Sequence, residues 1–115
     1  MEFLYLSTCS TCKRIMQLLP KHKDLNFRDV KVNPLSLEEV RQLAALAGSF
    51  TALINKRSQQ FKISGISSKD LSEAQSEQLL VTHYSYLARP ILVIDSHIYI
   101  GNSSSTVAAM VNKLT

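Results

Sequence analysis

Cys9-Ser10-Thr11-Cys12 places the chain's two cysteines at a spacing that suits three chemistries: a redox pair, two ligands of a metal site, or two inert core thiols. Zinc asks for four ligands. Beyond the pair the chain offers only His22, His83 and His97, none of them at a three-to-five spacing, so no metal is expected. Position speaks for redox chemistry over the plainer reading of two buried, inert cysteines. The apolar run Phe3–Leu6 precedes the pair, and from Ser10 onward Cys12, Ile15, Met16 and Leu19 recur at helical spacing. Cys9 thus stands at or just before a helix start. Backbone amides and the helix dipole there lower a thiol pKa from about 8.5 toward roughly 3.5 to 7.5, which makes Cys9 the expected nucleophile. Cys12 lies on the apolar stripe, so burial should raise its pKa and suit it to resolving a mixed disulfide on Cys9.

The elements that must position this pair are readable in outline. Phe3–Leu6 predicts a strand buried on both faces, and the helix from Ser10 ends by Pro20. Leu25–Val32 reads as a second strand, closed by Asn33-Pro34. Ser36-Leu37-Glu38-Glu39 is a capping box, followed by an apolar stripe through Val40, Leu43, Ala44 and Ala47 up to Gly48. A second box stands at Ser72-Glu73-Ala74-Gln75, and the stretch from about 35 to 88 reads as an all-helical insert. Ile91–Ile94 and His97–Ile100, joined by Asp95-Ser96, predict a hairpin, and Val107, Met110, Val111 and Leu114 a terminal helix. The order is βαβ, helical insert, ββα: an α/β chain with a mixed four-stranded sheet and thioredoxin-like topology. In such domains the proline that opens the third strand is usually cis and faces the active cysteine. Here that proline is Pro90, and Arg89 before it would offer a guanidinium to an oxyanion or to the thiolate. The plainer reading of the same residues is an edge proline beside a surface arginine.

Length and composition agree with one domain. The chain has 115 residues, 45% hydrophobic and 19% charged. A chain of this size buries roughly 65% of its unfolded surface and needs neither metal nor disulfide to fold. No apolar run approaches a membrane span, and the N-terminus has an acid where a signal peptide would carry lysines. A cytoplasmic, reducing setting is therefore expected, with no membrane partner. Residues 1 to 62 hold ten Lys or Arg against five Asp or Glu, while residues 63 to 115 hold three against four. The cysteine half is the positive half, which favours an anionic substrate or partner, although a solvated basic face would look the same. Basic clusters interleaved with aromatics are absent, so direct nucleic-acid binding is not expected.

Taken together, Cys-Ser-Thr-Cys-Lys-Arg after the first strand, Arg28-Asp29-Val30, Asn33-Pro34-Leu35-Ser36, Asn55-Lys56-Arg57-Ser58 and Ala88-Arg89-Pro90-Ile91 resemble the family of ArsC-type arsenate reductases and Spx-type regulators. The resemblance covers nearly the whole chain. It implies a catalytic Cys9 that attacks a small oxyanion or a disulfide, and Cys12 resolving it. Arg89, Arg57, Ser10 and Thr11 are then the substrate-binding candidates, with Pro90 structural at the site. It also implies no bound cofactor, with glutathione or another thiol as co-substrate and glutaredoxin or thioredoxin as possible redox partners. The chain departs from both branches. Reductases carry a further arginine after the last strand, where this chain has Ile100-Gly101-Asn102. The close cysteine pair is nearer the regulators, in which a disulfide is the switch and RNA polymerase the partner, with the surface around Gly48 and Ser49 as the contact. Regulators in turn carry a basic extension after the last helix, which this sequence does not show. Arg89 and that difference favour a reductase-like enzyme as the first expectation.

Overall fold

Runs of four apolar or β-branched residues are too short for helices and, bounded by turn residues, they become strands. The computed structural model describes all 115 residues. In chain order the elements are β1 (Glu2–Tyr5), α1 (Ser10–Leu18), β2 (Asn26–Asp29), α2 (Leu37–Ala47), α3 (Gln59–Ile63), α4 (Glu73–Thr82), β3 (Ile91–Ile94), β4 (His97–Ile100) and α5 (Ser104–Leu114). They fall into two compact units. One joins Met1–Asn33 to Arg89–Thr115, and the other is Pro34–Ala88.

The first unit carries the sheet, in the order β2-β1-β3-β4. β1 runs parallel to β2 and antiparallel to β3, which pairs antiparallel with β4. Phe3 is opposite Leu92 and Leu4 is opposite Ile91, so the two pairs point to opposite faces. All four side chains are fully buried, which makes the central strands apolar on both sides, as the continuous run predicts. Ile15 and Leu19 from α1 and Met110 and Leu114 from α5 pack with Phe3 and Leu92 into one cluster. Each such side chain contributes roughly 1.5–3 kcal/mol on burial. This mixed sheet with its helices is the thioredoxin-like arrangement. Asp95 makes the tight β3–β4 turn at φ 54°, a left-handed conformation that Asp tolerates better than most residues.

β2 is shorter than the stretch Leu25–Val32 suggests. Val30 N–H still reaches the Tyr5 carbonyl at 2.9 Å, but Asn33 N–H then folds back onto the Asp29 carbonyl, also at 2.9 Å. A turn replaces the strand, and Val32, apolar by type, is left 80% exposed.

In the second unit the Ser36 box closes both ways: Glu39 N–H donates to Ser36 Oγ at 3.1 Å, and Ser36 N–H to Glu39 Oε1 at 2.9 Å. Gly48 ends α2 at φ 93°, where a side chain would be strained. Ser72 and Gln75 make the same reciprocal pair at the start of α4. Short 3-10 turns cover Thr51–Leu53 and Tyr84–Tyr86, and one bridge pairs Ile54 with Leu87. The Glu73 carboxylate accepts from the Phe50 and Thr51 amides at 2.8 and 3.0 Å, and from the Thr51 hydroxyl. It thereby ties α4 to the first of these turns. No helix in either unit is long and apolar enough to cross a membrane.

Candidate functional site

β1 ends at Tyr5, and the chain turns through Ser7-Thr8 before α1. Cys9 N–H bonds to the Leu6 carbonyl at 2.9 Å across that turn. Cys9 is the N-cap of α1, with extended backbone at φ −98° and ψ 109°. Most helices put a Ser, Thr, Asp or Asn oxygen there to receive the first free amides. The thiol forms no full cap hydrogen bond of that kind. The Cys12 and Thr11 amides nevertheless lie near enough to its sulfur to favour negative charge on it. Cys9 is half-buried, Cys12 is fully buried on the core side of α1, and both are free thiols.

The two thiols are pushed in opposite directions. Burial acts first on Cys9 and would raise it, but the Cys12 amide, the Cys12 thiol, the Arg89 guanidinium and the Thr11 amide outweigh it, so the Cys9 pKa is lowered. Burial also acts first on Cys12, which is pushed up to about 11. The Leu6 backbone opposes this next, the hydrogen bond and charge of Cys9 add to the rise, and Arg89 opposes it least. Cys9 is therefore the thiol that ionises first, and Cys12 the one that keeps its proton longer.

Arg89 comes to this site from the other end of the chain. It precedes β3, the Arg89–Pro90 peptide is cis, and Gly101 N–H holds the Pro90 carbonyl at 2.9 Å. Arg89 is half-buried and Pro90 buried, and Arg89 acts electrostatically on both sulfurs. Ser10 and Thr11 form the first turn of α1, with Ser10 exposed and Thr11 half-buried. The structure thus brings Cys9, Ser10, Thr11, Cys12, Arg89 and Pro90 together. Arg57 is exposed in the second unit, in the loop before α3, where its amide is held by Asn55 Oδ1 at 3.1 Å. No three His, Cys, Asp or Glu side chains converge as metal ligands.

One neighbour of the site stands in the segment Arg28-Asp29-Val30, to which the sequence attaches no role. Asp29, at the end of β2, accepts from the Ser7 hydroxyl and amide on the turn leading to Cys9. It lies 22 residues away in the chain, and only the parallel register, Tyr5 opposite Asp29, brings it there.

The ArsC family matches residues 4–110, almost the whole chain and all of these site residues. The chain belongs to the ArsC family. Among curated relatives of this ArsC-family chain, the global transcriptional regulator Spx of Lactiplantibacillus plantarum is 29% identical over 105 residues, spanning 88% of this chain and 79% of that protein. The protein of the same name from Streptococcus pyogenes serotype M1 is 27% identical over 116 residues, spanning 98% and 87%. Among solved structures, arsenate reductase from Vibrio cholerae superposes with a TM-score of 0.75 at 18% identity, covering 100% of this chain and 98% of that one. An arsenate reductase-related protein from Brucella melitensis gives 0.73 at 20% identity, covering 94% and 91%. At these identities the structural likeness speaks for the fold. Within the ArsC family, the chain thus has named relatives among regulators and structural neighbours among reductases.

Proposed function

We propose that this ArsC-family protein is a thiol-dependent oxidoreductase in which Cys9 is the nucleophile and Cys12 the resolving thiol. One observation carries the reading: two thiols at one helix start, driven apart in acidity, with the Arg89 guanidinium beside them. A lowered pKa supplies the thiolate needed for attack, and a raised one keeps the second sulfur protonated until it is required. With a disulfide substrate, Cys9 Sγ attacks one sulfur, the other leaves as a thiolate, and a mixed disulfide forms. Cys12 then loses its proton and attacks Cys9 Sγ, which releases the second substrate thiol and leaves a Cys9–Cys12 disulfide. Attack by Cys9 removes the Cys9 charge that raises Cys12, while Arg89 still lowers it, so the first step itself eases the second. With arsenate, Cys9 displaces water at arsenic. Attack by Cys12 then passes two electrons to arsenic, and arsenite departs. Either way two electrons return from two cellular thiols, such as a pair of glutathione molecules that leave as their disulfide, directly or through glutaredoxin or thioredoxin, in a reducing cytoplasm. Arg89 and the Ser10–Thr11 turn are the proposed ligands of the anion.

Arsenate-dependent NADPH oxidation tests this, run once with glutathione plus glutaredoxin and once with thioredoxin. Turnover that disappears in Cys9→Ser is the expected result. No turnover with either system, nor with a small disulfide substrate, overturns the enzyme reading.

A second reading has its own support, since relatives along most of the chain are named transcriptional regulators. In it the same pair closes to a disulfide under oxidation, α1 shifts at its start, and the surface around Gly48 and Ser49 changes its fit to RNA polymerase. Pull-down of a polymerase subunit that depends on oxidant and is lost in Cys12→Ser would favour it.

A further inference from the structure

We propose that Asp29 is the positioning residue for Cys9, acting through Ser7, an inference that rests on the proposed role of Cys9 as nucleophile. The argument is one of backbone partners. Where β1 ends, the parallel ladder makes its last bond from Val30 N–H to the Tyr5 carbonyl at 2.9 Å. Beyond that bond Asn33 N–H closes on the Asp29 carbonyl at 2.9 Å and the chain turns away from β1. The Ser7 amide, past the end of this ladder, meets a side-chain acceptor instead of a main-chain one, and a polar backbone group in a half-buried position needs a partner.

The Asp29 side chain takes that place. Its Oδ1 accepts from the Ser7 amide at 3.4 Å and from the Lys31 amide at 3.1 Å. The Ser7 hydroxyl donates to the same carboxylate and is the strongest influence holding the Asp29 pKa below its ordinary value. One carboxylate thus fastens the turn after β1 to the turn after β2. Two residues beyond Ser7, Cys9 N–H closes on the Leu6 carbonyl at 2.9 Å, and its extended backbone aims the Thr11 and Cys12 amides at the sulfur. The proposed action runs through this geometry, by way of the carboxylate oxygen that the Ser7 amide meets. The hydrogen-bond acceptor is the working part.

The test reads the thiolate directly. Iodoacetamide modification of Cys9, located by mass, is followed from pH 5 to 10 in wild type, Asp29→Asn, Asp29→Ala and Ser7→Ala, with circular dichroism to show each is folded. Asp29→Asn keeps an oxygen acceptor and is expected to follow the wild-type profile. Asp29→Ala is expected to move the profile to higher pH, with alkylation near neutral pH slowed by about tenfold for a one-unit rise, and an unchanged plateau at high pH. Ser7→Ala should move it the same way by less. An Asp29→Ala profile superimposable on wild type, or an Asp29→Asn profile displaced as far as that of Asp29→Ala, overturns the proposal. If Asp29→Ala does not fold, an unmoved Ser7→Ala profile overturns it. A wild-type Cys9 that titrates as an ordinary thiol would instead overturn the nucleophile reading itself, so the two failures are distinguishable.

Discussion

Raising the pH should destabilise this protein through a single sulfur. Cys12 is fully buried and its thiol is pushed up to about 11 from an ordinary 9.0, first by burial. In the unfolded chain the same thiol titrates normally. Between pH 9 and 11 the unfolded state therefore binds fewer protons than the folded one, and stability falls as pH rises; below pH 9 both states are protonated and the contribution is constant. One pKa unit corresponds to about 1.4 kcal/mol. The two-unit difference thus costs about 1 kcal/mol by pH 10 and about 3 kcal/mol once the pH has passed 11. Cys12→Ala loses packing at every pH but lacks this titration, so the informative quantity is the change with pH and not the stability itself. Urea unfolding in the presence of reductant, followed by far-ultraviolet circular dichroism at pH 8, 9, 10 and 11, measures it for both proteins. Contributions from the chain away from the pair are common to both proteins and drop out of the difference. With an m value of roughly 2 kcal/mol/M, the wild-type midpoint should fall by about half a molar more than that of the variant between pH 8 and 10. Parallel profiles for the two proteins would refute the assignment of Cys12 as the high-pKa member of the pair.

Other residues give sharper local tests. Arg89→Ala removes a charge that lowers Cys9, so the alkylation profile of Cys9 should move to higher pH, whereas Arg89→Lys should recover part of the loss. Glu73 is held below its ordinary value first by the Thr51 hydroxyl and then by the Phe50 and Thr51 amides. Its contribution is present above the unfolded value of 4.5 and is lost as pH falls through the lower folded value, so Glu73→Gln should show a flatter loss of stability on acidification than wild type in thermal melts. Ser36→Ala opens a two-way capping box and should cost about 1 kcal/mol, read as a melting temperature lower by about 4 °C.

What the sequence discloses follows the range of the interactions involved. Local patterns were sufficient for the capping boxes at Ser36 and Ser72, for α1 with Cys12 on its buried stripe, and for the hairpin turning at Asp95-Ser96. β2 was overestimated because Val30 and Val32 look like strand residues, while the hydrogen bond that ends the strand, Asn33 to Asp29, has no hydrophobic signature. Ser76 is a polar side chain that is fully buried in the second unit. It is satisfied by the Ser72 carbonyl at 2.8 Å and lies 3.3 Å from the Thr51 hydroxyl, a neighbour that only the fold supplies. At the site, the cysteines announce themselves by standing between a strand and a helix, and Arg89 by standing before the proline that opens β3. Asp29 does neither, because its partner is reached across a parallel register that no periodicity encodes.

The cap of α1 has a consequence for the helix as well as for the sulfur. Whatever free energy the first amides of α1 lend to the Cys9 thiolate, the thiolate returns to those amides, since the two statements describe one interaction. A helix capped by serine keeps its start whatever happens around it. Here the group beside those amides is a sulfur that chemistry can change: a thioether, a mixed disulfide or a bond to Cys12 each removes its capacity for negative charge. The opening turn of α1 is thus a gauge of what has reacted at Cys9, and amide hydrogen exchange at Ser10 through Lys13 would register it without any reporter attached.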